Sequence, residues 1–166
     1  MLNKKSIRDI DVNGKKVFIR VDYNVPMDEN QNITNDKRIV ATLPTLNYLL
    51  ENNASIIIAC HLGRPKGERV PEFSVAPVAK KLGEIMGKEV KFAPDCVGPE
   101  AEKMATELQP GEILVLENLR YHKEEEKNDP KFAEQLAKLA DIVVNDAFGV
   151  SHRAHASVEG ITKFIP

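Results

Sequence analysis

Apolar positions in this chain gather into short, nearly continuous runs separated by longer stretches with a helical period. Five runs stand out: Lys16–Val21 (KVFIRV), 55–60 (SIIIAC), 89–92 (EVKF), Ile113–Leu116 (ILVL) and 141–144 (DIVV). Most are β-branched and unbroken by polar residues, the pattern of strands covered on both faces. Between them, Ile39, Val40, Leu43, Leu46 and Leu50 share one helical face, with Pro44 either kinking that helix or standing in its first turn. Val75, Val78, Ala79, Leu82, Ile85 and Met86 form a second face, with Ser74 as N-cap and Gly87 as the stop. Ala101, Met104, Ala105 and Leu108 form a third between Gly98-Pro99 and Pro110-Gly111. A fourth opens at Asp129-Pro130, an N-cap followed by proline at the first helical position, and carries Phe132, Leu136 and Leu139. A fifth helix is expected from Ser157. Strand and helix in alternation predict an α/β fold, a Rossmann-like three-layer α/β/α unit with a parallel sheet. No repeat, linker or low-complexity tract interrupts the rhythm, so residues 1–166 read as a single domain. The charged run 123–129 (KEEEKND) reads as a solvated loop.

Composition narrows the class. A chain of 166 residues with 42% hydrophobic and 29% charged residues and a formal net charge of −2 is neither disordered nor dependent on disulfides. A pI near 6.1 lacks the basic excess that nucleic acid or an anionic membrane surface demands. No apolar run nears the roughly 20 residues of a membrane span, and the N-terminus lacks a signal-peptide core. Cys60 and Cys96 have no metal or redox spacing and read as free thiols of a cytoplasmic protein, Cys60 as a small core residue.

In an open parallel sheet, ligands bind beyond the carboxyl ends of the strands. The residues that follow the runs are unusual. Asp22-Tyr23-Asn24-Val25-Pro26 follows the first, His61-Leu62-Gly63-Arg64-Pro65 the second, Glu117-Asn118-Leu119-Arg120-Tyr121-His122 the fourth, and the fifth leads into 145–155 (NDAFGVSHRAH). All four histidines lie in these segments, with three of the seven arginines, and Arg38 opens the first helix. Arginine suits bidentate recognition of phosphate and carboxylate. The clustering predicts a basic bowl for a small anion, with Asp22 and Asn24 better suited to a hydroxyl group. Bland readings stand beside this one: Arg38 pairing with Asp36 or Glu51, Asp22 bracing a loop, His152 and His155 holding structure, Asn145 and Asp146 ordering their loop. Walker A, GxGxxG, GxSxG and HExxH patterns are absent, and His152-x-x-His155 lacks a clear third ligand, so neither a nucleotide site nor a metal site is expected.

The segments 20–26 (RVDYNVP), 36–39 (DKRI), 61–65 (HLGRP), 117–120 (ENLR), 145–149 (NDAFG) and 152–157 (HRAHAS) closely resemble phosphoglycerate kinase, in order and over essentially the whole chain. The resemblance covers only that family's N-terminal domain. It implies a Rossmann-like unit that binds 3-phosphoglycerate or 1,3-bisphosphoglycerate, for reversible phosphoryl transfer with ADP or ATP in glycolysis. Mg-ATP and Mg-ADP would be bound by a C-terminal domain lying outside this chain, and the two domains would close about a hinge in a monomer. By motif, Asp22, Tyr23 and Asn24 match the first substrate loop and His61, Leu62, Gly63 and Arg64 the second. Arg120 and Arg153 complete the basic cluster, and Arg38 matches the arginine that also serves the transferred phosphoryl. Tyr23 stands where many members have Phe, and Cys60 where Ser often precedes the histidine. The alternative is a stand-alone module that binds a phosphorylated acid without chemistry.

Overall fold

A computed structural model describes residues 11–30, 32–63, 67–127 and 129–146. The five apolar runs form one parallel sheet: β1 (Lys16–Val21), β2 (Ser55–Ala59), β3 (Lys91–Ala93), β4 (Ile113–Leu116) and β5 (Ile142–Asp146), in the order β3-β4-β2-β1-β5. β1 and β4 have the predicted bounds. β2 stops one residue early, and β3 and β5 are displaced toward their C-terminal ends. Because side chains alternate across a strand, each run feeds two cores. Val17, Ile19, Ile56, Ile58, Ile113 and Val115 pack on one face, and Phe18, Ile57, Leu114 and Leu116 on the other.

The helices are α1 (Lys37–Val40), α2 (Leu43–Glu51), α3 (Ala76–Met86), α4 (Pro99–Glu107), α5 (Lys123–Glu126) and α6 (Pro130–Ala137). α1, α2 and α3 supply Ile39, Leu46, Leu49, Val78 and Leu82 to the first face; α4 and α6 supply Ala101, Ala105, Phe132 and Leu136 to the second. This division follows from handedness. The connections β1→β2 and β2→β3 step one way along the sheet and β3→β4 and β4→β5 step back, so right-handed crossovers place the two sets on opposite faces. The three-layer α/β/α arrangement is thereby formed.

Local chemistry sets several boundaries. Pro44 divides the first predicted helix and lies in the first turn of α2, where a missing N–H costs no bond. α3 begins after Val75, not Ser74, although Ser74 Oγ does accept the Ala76 N–H at 3.2 Å. It ends at Gly87, whose φ of 67° is left-handed. Asp129 caps α6 by accepting the N–H groups of Lys131 and Phe132. The 123–129 run is not a solvated loop. It contains α5, and Glu125 is wholly buried because Arg20, at the end of β1, needs a counter-charge there. The fifth helix expected from Ser157 lies outside the described residues. No helix among those described is long and apolar enough to cross a membrane.

Candidate functional site

The C-terminal ends of β4, β2 and β1 lie side by side in the middle of the sheet, and the three loops that leave them are bonded to one another. Leu119 N–H donates to the Cys60 carbonyl at 3.1 Å. Asn118 Nδ2 donates to the carbonyls of Leu62 (2.7 Å) and Phe73 (2.9 Å), while its Oδ1 accepts the Arg120 N–H at 3.0 Å. Glu117, buried beside it, accepts the N–H groups of Val75 and Asn118 and the hydroxyl of Ser74. From the β1 side, Asn24 Oδ1 accepts the Gly63 N–H at 3.0 Å. Gly63 has φ +63°, and a Cβ there would lie 2.5 Å from the Phe73 ring, so only glycine fits.

Arg38 meets neither Asp36 nor Glu51. Its Nη1 donates to Asp22 Oδ1 and to the Asn24 carbonyl, both at 2.9 Å, and its side chain stays 52% exposed. Asp22 therefore does brace its loop, and in doing so aims a solvated guanidinium. Four expected site residues, Asp22, Asn24, Arg38 and Gly63, thus form one connected group. His61 is buried against β1, its Nδ1 2.9 Å from Arg20 Nη2. Arg120 is buried in the 3₁₀ turn Leu119–Tyr121, close enough to Arg20 for the two charges to repel. Tyr23 and Leu62 turn their side chains into the core. The Thr42 hydroxyl spends its hydrogen on the Ile39 carbonyl, so Tyr23 Oη must be the donor in its 2.6 Å bond to Thr42 Oγ1. Any ligand contact from Tyr23 or Leu62 would come from the main chain. Arg64, Arg153, His152 and His155 lie outside the described residues.

Glu117, Asn118 and Arg20 escape a search for ligand-type residues, yet they hold the loops together. Their signal in the sequence was position: each stands at or just past the end of a strand. A cavity of about 400 Å³ borders the same loops, its lining including Asn24, Leu62, Gly63, Asp28, Glu29 and Glu72. Asp28, Glu29 and Glu72 give this cavity a negative lining, which disfavours an anion deep within it. Asp95, Cys96 and His122 bring their donor atoms within 4.8 Å, but they satisfy one another. Asp95 Oδ1 takes both His122 Nε2–H and the Cys96 N–H at 2.7 Å, and Arg69 lies 3.8 Å from the same carboxylate. A cation there would compete with a guanidinium, and the trio serves to tie the β3 loop to the β4 loop. Burial pushes the Cys60 thiol up to about 12 and Cys96 also well above its ordinary value, so both thiols stay protonated.

A family model described as phosphoglycerate kinase matches residues 7–166. The phosphoglycerate kinase of Geobacter metallireducens is 59% identical over 165 residues, which are 97% of this chain and 42% of that protein. Chloroplastic phosphoglycerate kinase 1 of Arabidopsis thaliana is 58% identical over 98% of this chain and 34% of its own length. The cytosolic wheat enzyme is 56% identical, so relatives occur in more than one compartment. Among solved structures, phosphoglycerate kinase from Coxiella burnetii superposes with TM-score 0.85 at 38% identity, and that from Pyrococcus horikoshii with 0.86 at 36%. Each alignment covers 96% of this chain and 39% or 40% of the other. The chain therefore spans between about a third and two fifths of the length of those relatives. A match that runs through every one of the strand-end loops, carried on the same fold, settles its kinship: the chain belongs to the phosphoglycerate kinase family.

Proposed function

We propose that this chain is the phosphoglycerate-binding, N-terminal part of a phosphoglycerate kinase. It binds 3-phosphoglycerate and 1,3-bisphosphoglycerate for transfer of a phosphoryl group to and from a nucleotide. The observation that carries this reading is Arg38, exposed yet aimed by Asp22 and the Asn24 carbonyl at the carboxyl end of the sheet. Asp22 and Asn24 meet the substrate hydroxyl, and the main chain of Tyr23, Leu62 and Gly63 shapes the floor. His61, Arg64, Arg120 and Arg153 supply donors to its phosphate and carboxylate. Three or four charge-assisted bonds of about 1.5–3 kcal/mol each, less the cost of immobilising a small ligand, give affinities between micromolar and millimolar.

Phosphoryl transfer is mostly positioning and stabilisation of charge on the equatorial oxygens. The substrate carboxylate is the nucleophile when ATP is consumed, so this chain needs none of its own. Arg38 is the proposed catalytic residue, reaching the migrating group as negative charge spreads over it. The Mg-nucleotide, bound by the part of the relatives' length that this chain does not span, supplies or accepts the phosphoryl group. Closure of the two parts would exclude water from the reaction.

The isolated chain is expected to bind 3-phosphoglycerate and to lack kinase activity. Titration calorimetry with 3-phosphoglycerate and with Mg-ATP checks this. Saturable heat with the first and none with the second is the expected result, and preferential ATP binding would overturn the reading.

A further inference from the structure

Arg20 is wholly buried, as is Glu125 on α5, whose Oε2 lies 3.9 Å from Arg20 Nε. Arg20 Nη1 donates to the Val21 carbonyl at 2.8 Å, and Nη2 lies 2.9 Å from His61 Nδ1. A guanidinium has donors only. His61 Nδ1 must therefore accept, and a neutral imidazole then carries its single proton on Nε2. The charged groups that act on Arg20 at neutral pH are Glu125, Arg120 and Asp22, with the protonated Cys60 thiol beside them. Burial lowers the Arg20 pKa, Glu125 opposes that, and a guanidinium remains charged at neutral pH.

We propose that Arg20, held inside the fold by Glu125, is a positioning residue that fixes His61 as the Nε2–H tautomer and so presents phosphoglycerate with a donor of set orientation. The ligand half of this statement rests on the function proposed above; the tautomer half does not. Full burial removes Arg20 from the ligand-contacting surface. Stability alone is a poor reason for the pair, since apolar residues of similar volume often replace a buried ion pair at no cost. An apolar side chain at position 20 cannot donate a hydrogen bond to Nδ1, and that is what the arginine contributes. The arrangement also gives a purpose to the burial of Glu125, which directly follows the β4 loop and is far in sequence from Arg20.

Long-range ¹H–¹⁵N correlation spectra of the ¹⁵N-histidine-labelled chain test this without any ligand. His61 is expected to show a protonated Nε2 and a bare Nδ1 at neutral pH. A protonated Nδ1 would overturn the proposal, whether or not any variant folds. Arg20→Met combined with Glu125→Gln removes both buried charges together and is expected to give a mixture of tautomers. The same variant should bind 3-phosphoglycerate about tenfold more weakly, the equivalent of one lost hydrogen bond. Arg20→Lys, which keeps a donor, is expected to restore the single tautomer. A single tautomer persisting in the double variant would refute the positioning role. Failure of the unmodified chain to bind 3-phosphoglycerate, with His61 fixed as expected, would overturn the ligand and support the orientation.

Discussion

Arg38 leaves 52% of its side chain in solvent, whereas Arg20 leaves none, and the two should respond oppositely to truncation. An exposed ion pair contributes about 0–1 kcal/mol, so Arg38→Ala should unfold in urea within about 1 kcal/mol of the unmodified chain. Its affinity for 3-phosphoglycerate should nevertheless fall by about tenfold or more, because an aimed charge-assisted bond is lost. Arg20→Ala leaves Glu125 buried without its counter-charge and should cost about 3–5 kcal/mol, much of a domain's total stability. Urea midpoints and calorimetry on both variants separate the roles. A large stability loss in Arg38→Ala, or unchanged binding, would contradict the assignment of Arg38 to the ligand.

The loop after β4 joins elements that the hydrophobic pattern treats separately. Asn118 uses both amide hydrogens and its oxygen on three backbone groups, those of Leu62, Phe73 and Arg120. Asn118→Ala should therefore destabilise the chain by about 2–4 kcal/mol, since buried partners left without bonds keep their desolvation penalty. It should also speed hydrogen exchange of the Gly63 N–H; protection equal to that of the unmodified chain would show that Asn118 does not hold this loop. Much of this level was legible beforehand. Strands buried on both faces announce themselves as unbroken apolar runs, and a parallel sheet fixes which of their ends gathers the ligand residues. Partners distant in sequence were not legible. Nothing near Glu125 foretells its burial, because the cause is Arg20 on β1. Likewise, no local rule tells whether Pro44 kinks one helix or starts another, and the inward turn of Tyr23 depends on Thr42 across the first core.

At the scale of the molecule, the sheet is anchored unequally. β3 is an edge strand of three residues that pairs with β4 alone, and side chains reinforce it at both ends. Beyond its C-terminal end stands Asp95. Burial alone would raise its pKa, but the hydrogen bond and charge of His122, the Cys96 N–H and Arg69 together hold it below the ordinary carboxylate range. At the other end, Glu112 is also held low, first by the Gln109 N–H and then by Lys91 at the start of β3. A carboxyl whose folded pKa is depressed contributes stability that is present above its unfolded value and is lost as pH falls through the folded one. These two anchors are therefore intact at neutral pH and released below the ordinary values of 3.8 for Asp95 and 4.5 for Glu112. Acidification should open the β3 edge before the centre of the sheet, where β1 and β2 are paired on both sides. Native-state hydrogen exchange at pH 5 and pH 3 should show Phe92 and Ala93 losing protection before Phe18 and Ile57. Asp95→Asn should lower the urea midpoint at neutral pH but flatten its decline on acidification, because the variant has no carboxylate at this position left to protonate. An equally steep decline in that variant, or simultaneous loss of protection across all the strands, would place the acid-sensitive anchor elsewhere.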